Sequence, residues 1–233
     1  MKRTNAFSLA EIVVVLMIIG VIAAMTLPTL MDTAEKKELA TGLQKAHSTL
    51  TQAVSRMEIE NGPVGKTRYW TKPAEFWPLF TAEMNTTKVC TGAQEGCFTS
   101  GTMKALNGNN WAEYEKRDYG VRTADGMSFS FSSTLCAADK GVSEADIKNG
   151  LGRFLVDVNG DKGPNKFGED LYFFCLVKEK GIVPAGTDTS KSGDDCYRKG
   201  NGITCAAKVL KAGKIDYPYD KPTASSDKDK PKK

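Results

Sequence analysis

Residues 7–30 read FSLAEIVVVLMIIGVIAAMTLPTL, an apolar run that carries one acidic residue, Glu11, near its start. A helix over Phe7–Leu27, rising about 1.5 Å per residue, is about 30 Å long, which matches the hydrocarbon core of a bilayer. The run can therefore span a membrane. Lys2 and Arg3 stand on its short N-terminal side, so the positive-inside tendency leaves the N-terminus in the cytoplasm and sends the remainder across. A carboxylate at membrane depth is costly and is kept where something pairs with it. Glu11 thus asks for a partner.

Beyond Pro28 the helical pattern resumes. Leu39, Leu43, Ala46, Leu50, Ala53 or Val54, and Met57 recur three and four residues apart, an apolar stripe that one helix face buries. One long helix from Phe7 to about Ile59, bent at Pro28, is expected, with a break at Asn61-Gly62-Pro63. The competing reading is a secretory signal peptide cut near Val21-Ile22-Ala23. Glu11 within its apolar core and the return of the stripe after Pro28 weigh against that.

The chain has 233 residues and a formal charge of +4, a length that suits one medium domain with an appendage. The positive excess sits at the ends, in Lys2, Arg3 and a tail with more Lys than Asp. The dense basic stripe of a dedicated nucleic-acid binder is missing, and no such binding is expected. The tail at 221–233 has almost nothing apolar to bury and should be disordered.

Six cysteines, Cys90, Cys97, Cys136, Cys175, Cys196 and Cys205, follow the apolar run, with no CxxC pair among them. An even set beyond an export signal reads as a disulfide framework in an oxidising compartment such as a bacterial periplasm. Sequence alone leaves the pairing open. Nearness in the chain favours Cys90 with Cys97 and Cys196 with Cys205, leaving Cys136 with Cys175.

Strand signals come late. In GVRTADGMSFSFSS, Asp125-Gly126 lies between a short strand and the alternating Met127, Phe129 and Phe131, a hairpin with one apolar face. RFLVDV and LYFFCLV bracket a polar loop, and GKIDYPY is expected to close the sheet. A long helix laid by its stripe on an antiparallel sheet, an α+β fold, is the natural burial solution. Trp70, Trp77 and Trp111, with Phe76 and Phe80, read as buried aromatics rather than a sugar- or partner-binding surface.

The bracketed loop is DVNGDKGPNKFGED. Asp157, Asn159 and Asp161 alternate as hard oxygen ligands do when a tight loop wraps a cation, with Asn165 and Asp170 able to complete the shell of a structural Ca²⁺. Lys162 and Gly168 stand where an EF-hand needs Gly and Glu, so the loop is not an EF-hand. The plainer reading is a hairpin loop whose Asp and Asn cap turns.

An enzyme is not expected. His47 is the only histidine, and GxSxG, Walker and HExxH motifs are all missing from the sequence. The acidic pairs Asp194-Asp195 and Glu144 with Asp146 read as solvated faces or helix starts.

The leader MKRTNA, then FSLAE, then an unbroken apolar run to Pro28 resembles the type IV prepilin signature shared by pilins, minor pilins and the pseudopilins of type II secretion. The resemblance implies that residues 1–6 are a leader removed by a prepilin peptidase between Ala6 and Phe7, that Phe7 becomes the methylated N-terminus, and that Glu11 is the glutamate that serves assembly. Ala6 replaces the usual Gly before the cut, and Ala10 the usual larger aliphatic residue. Residues 7–30 would then be the transmembrane and polymerising half of the helix, 31–60 its amphipathic half, and 61–220 a periplasmic pilin-like domain. The acidic calcium loops of some pseudopilins resemble residues 157–170.

The implied protein is a single-pass inner-membrane precursor. It would assemble with homologous subunits on an inner-membrane platform into a pilus or pseudopilus, with its length favouring a minor pilin or pseudopilin. The alternative is a membrane-anchored or secreted calcium-dependent binding module that never polymerises.

Overall fold

The computed structural model describes residues 9–92, 96–99, 101–111, 118–134, 136, 140–190 and 193–219, with the backbone alone at 28 and 29. The expected leader, the cut between Ala6 and Phe7, and the tail at 221–233 lie outside those residues. So does the Pro28 side chain, on which the expected bend rests; the helix is assigned continuously across that position.

Helix α1 runs Leu9–Asn61, 53 residues, about 80 Å at the usual rise. Its second half is the expected stripe: Leu39, Leu43, Ala46, Leu50, both Ala53 and Val54, and Met57 are all buried. The helix stops where the sequence says it should. The Gly62 N–H donates to the Glu58 carbonyl at 2.9 Å with φ of +84°, a left-handed cap that glycine takes without strain, and Pro63 prevents continuation.

Two short helices follow, α2 (Arg68–Thr71) and α3 (Pro73–Ala82). They bury Trp70, Phe76, Trp77 and Phe80. The sheet is six-stranded and antiparallel in chain order, with β1 Thr86–Thr91, β2 Tyr119–Thr123, β3 Ser128–Ser132, β4 Gly150–Asp157, β5 Leu171–Val177 and β6 Gly181–Pro184. Helix α4 (Glu144–Lys148) precedes β4, and α5 (Cys205–Ala212) lies beside α1 near the C-terminus.

One core joins helix and sheet. Phe174 of β5 stacks on His47 of α1 with centroids 5.6 Å apart. Phe131 and Phe154 pack 4.9 Å apart and both meet the α3 aromatics. The aromatics are therefore core, as expected; Trp111, only partly buried, lies edge-on to Phe167.

Three findings depart from expectation. GKIDYPY forms no strand; the sheet edges are β1 and β6, and Tyr217 instead donates its hydroxyl to the Gly168 carbonyl. Pro218 lacks the N–H that a paired strand would use there. The second face of β3 is covered too: Ser128, Ser130 and Ser132 are buried, and a second small apolar cluster forms around Cys136, Val142, Cys175 and Val177. Asp195 is no solvated acid; its carboxylate accepts from the Ile203 and Thr204 N–H groups and the Thr204 hydroxyl. Glu144 and Asp146 do lie in the first turn of α4.

Three disulfides close the head: Cys90–Cys97, Cys136–Cys175 and Cys196–Cys205. These are the pairs favoured from the sequence.

Candidate functional site

The first candidate surface is the N-terminal half of α1. It is the one helix among the described residues long and apolar enough to cross a membrane, and none of its apolar window is buried in the fold. Leu16 is 62% and Met25 74% exposed, although side chains of this kind are normally taken out of water. Glu11 is the only charged residue between Leu9 and Met31, and it is exposed. The Thr26 hydroxyl turns back to the Ile22 carbonyl at 3.0 Å, so that polar group is satisfied within the helix, as hydrocarbon surroundings require.

The second candidate is the loop between β4 and β5. Asp157 ends β4 and is fully buried. One carboxylate oxygen accepts the N–H groups of Asn159 at 3.2 Å and Gly160 at 2.9 Å; the other is buried without a partner. Burial, and then the negative charge of Asp170, push its pKa up to about 8. Asp170 accepts the N–H groups of Asn165 at 2.7 Å and Lys166 at 2.5 Å. Those bonds only partly offset burial, and its pKa rises to about 6.

The remaining predicted ligands go different ways. Asn159 donates to the Gly163 carbonyl at 3.0 Å, while its own side-chain oxygen is buried and without a partner. The Asn165 side-chain oxygen accepts from the Thr99 hydroxyl at 3.0 Å. Asp161 forms a two-pronged ion pair with Arg122 at 2.5 and 2.8 Å. That pair holds the Asp161 carboxyl below its usual range. The structure thus brings Asp157, Asn159 and Asp170 into one buried region and commits Asp161 and Asn165 elsewhere. Among the described residues no three carboxylate, imidazole or thiol groups converge.

The loop is held firmly. Gly160 has φ of +67°, and a Cβ there would meet the Gly126 carbonyl at 2.4 Å, so only glycine lets the loop close on the β2–β3 hairpin. The Tyr172 hydroxyl reaches the Gly168 and Glu169 carbonyls, each at 2.8 Å. Gly168 also sits against the Cys196–Cys205 bridge, with Cys205 Sγ 3.0 Å from its would-be Cβ.

Sequence reading missed Arg122 and Ser128. Arg122 pairs with Ser128 in the β2–β3 register, and Ser128 with Asp157 in the next, which forms a polar row across the sheet. The Ser128 hydroxyl is also buried without a partner. The hairpin pattern foretold the first pairing; nothing local foretells the second.

The buried oxygens of Asp157 and Asn159 are hard donors of the kind calcium takes, and leaving them unsatisfied is costly. A cation would be held by these two, with Asp170 beside them, and would relieve the repulsion between the two carboxylates.

Compared with protein-family models, with curated proteins and with solved structures, the chain gives no match in any of the three.

Proposed function

We propose that this chain is a structural subunit of a type IV pilus or type II secretion pseudopilus. It is made as an inner-membrane precursor with its N-terminus in the cytoplasm and its head in the periplasm. It is then cut between Ala6 and Phe7, methylated at Phe7, and assembled through α1. The observation that carries this reading is a single 53-residue helix whose two halves differ: an apolar half with none of its apolar window buried, and a half joined to a disulfide-bonded head. Such an apolar surface needs a bilayer or other copies of itself. In a bundle of these helices Glu11 neutralises the amine that cleavage creates on a neighbouring Phe7, and two charges each costly in lipid become tolerable together. The subunit's role is mechanical, and no enzymatic activity is assigned to it. Ca²⁺ held by Asp157 and Asn159 stiffens the β4–β5 connection as a structural ion.

Intact mass and N-terminal sequencing of the membrane-extracted protein test the reading. Loss of residues 1–6 with one added methyl group is expected. An intact Met1, or a start near Ala24, contradicts it and favours an anchored or secreted module.

A further inference from the structure

At the foot of the head, where α1 leaves it, lies a cavity of about 350 Å³ lined by Lys36, Lys166, Arg198, Ile215, Asp216 and Tyr217, among others. That volume suits a small polar ligand rather than a macromolecular segment. Lys36 comes from α1, Lys166 from the β4–β5 loop, and Arg198 with Asp216 from the C-terminal segment, where the Arg198 N–H donates to the Pro218 carbonyl at 2.9 Å. Three separate parts of the chain therefore bring basic groups to one hollow.

The charges in it are unequally engaged. Lys166 pairs with Glu169 at 2.9 Å, Lys36 with Asp32 at 2.7 Å, and Asp216 with Lys214 at 3.0 Å. Arg198 is exposed, and its charge acts on Asp216 without being the main partner of that carboxylate. Lys214 holds the Asp216 carboxyl below its usual range, with Arg198 and Lys36 adding to the effect, so both cations act on the same small volume. From Cys196 to Tyr219 the chain carries Arg198, Lys199, Lys208, Lys211 and Lys214 against the single acid Asp216. A net positive hollow with an exposed arginine fits a phosphate ester, which Arg grips in two-pronged fashion.

Its height identifies the source. The exposed apolar surface of α1 runs past Leu27 through Leu30 and Met31, a length that a tilted helix fits within the hydrocarbon, and Asp32 is the first charge after Glu11. Lys36 stands about 7 Å beyond Met31 along the helix axis, while the headgroup layer outside the hydrocarbon is about 5–7 Å deep. We infer that this hollow binds the headgroup of an anionic phospholipid, a phosphodiester with a polyol, while the subunit stands in the membrane. Arg198 and Lys36 take the phosphate, and the Asp216 and Glu169 carboxylates accept the polyol hydroxyls. This rests on the membrane-spanning reading of α1 given above.

Native mass spectrometry of the full chain in detergent, titrated with phosphatidylglycerol, phosphatidylethanolamine, phosphatidylcholine or glycerol 1-phosphate, tests it. One phosphatidylglycerol should be retained ahead of the other two lipids. Arg198→Gln should weaken that retention about fivefold, the effect of one basic group at an anionic surface. Lys211→Gln, which removes an equal charge outside the hollow, should not. Equal retention of the three lipids overturns the inference. So does an equal loss in Lys211→Gln, or glycerol 1-phosphate binding as tightly as the lipid. A chain that alkaline carbonate strips from membranes sinks the membrane reading and this inference together. An inserted chain without the lipid preference sinks this inference alone.

Discussion

The two halves of α1 share one backbone helix and almost nothing else. From Leu39 to Met57 the apolar residues keep a three-and-four spacing and are buried against the sheet. From Leu9 to Met31 they occupy every side of the helix, and the large ones among the described side chains stay exposed. The difference teaches that the first half is not a failed core element. A helix apolar all round finds its partner in lipid or in like helices, whereas a striped helix finds it in its own domain.

Substitution should separate the halves most sharply. Leu50→Ala empties a fully buried site and should cost the head about 2–5 kcal/mol, read as a shift in its denaturant midpoint. Ile18→Ala on the exposed half should leave that midpoint unchanged. An equal shift from both would mean that the apolar half packs on the head.

The next effect belongs to the head alone. Calcium at about 100 times its dissociation constant should add about 2.7 kcal/mol, and Asp157→Asn should abolish the response. A calcium response that survives in Asp157→Asn would place the cation elsewhere or make it non-specific.

The smallest effect lies at the helix–sheet contact. Burial against Phe174 lowers the His47 pKa from 6.5. The unfolded chain therefore binds more protons than the folded one just below pH 6.5. The contribution is present above that pH and is lost as the pH falls through the lowered value. Acidification from pH 7 to about 5.5 should destabilise the head modestly, and His47→Phe should flatten that limb. An unchanged limb in the variant would assign it to other groups.

Much of this architecture was legible because its signals are local. The stripe, the Asn61-Gly62-Pro63 stop, and the hairpin at Asp125-Gly126 each depend on residues a turn or two apart, and the structure contains all three. The short disulfides were accessible for the same reason. The edge strands were not. The Thr86–Thr91 segment has a weak pattern with a register shift, and Gly181–Pro184 is only four residues long. GKIDYPY alternates as a strand does, yet a long-range hydrogen bond from Tyr217 to Gly168 overrides that pattern. In the 157–170 loop the oxygen-rich spacing was plain. That Asp161 turns to Arg122, 39 residues away in sequence, depends on the order of strands and on no local feature. Ser128 escaped notice for the same reason, since its place beside Asp157 comes from the β3–β4 register.

Glu11 in the apolar half of α1 is proposed to neutralise a newly made amine on a neighbouring subunit. The most direct test of that role is Glu11→Ala in cells, with membrane insertion and entry into fibres measured separately. Normal insertion and cleavage with incorporation abolished are expected. Normal incorporation of the alanine variant would contradict it.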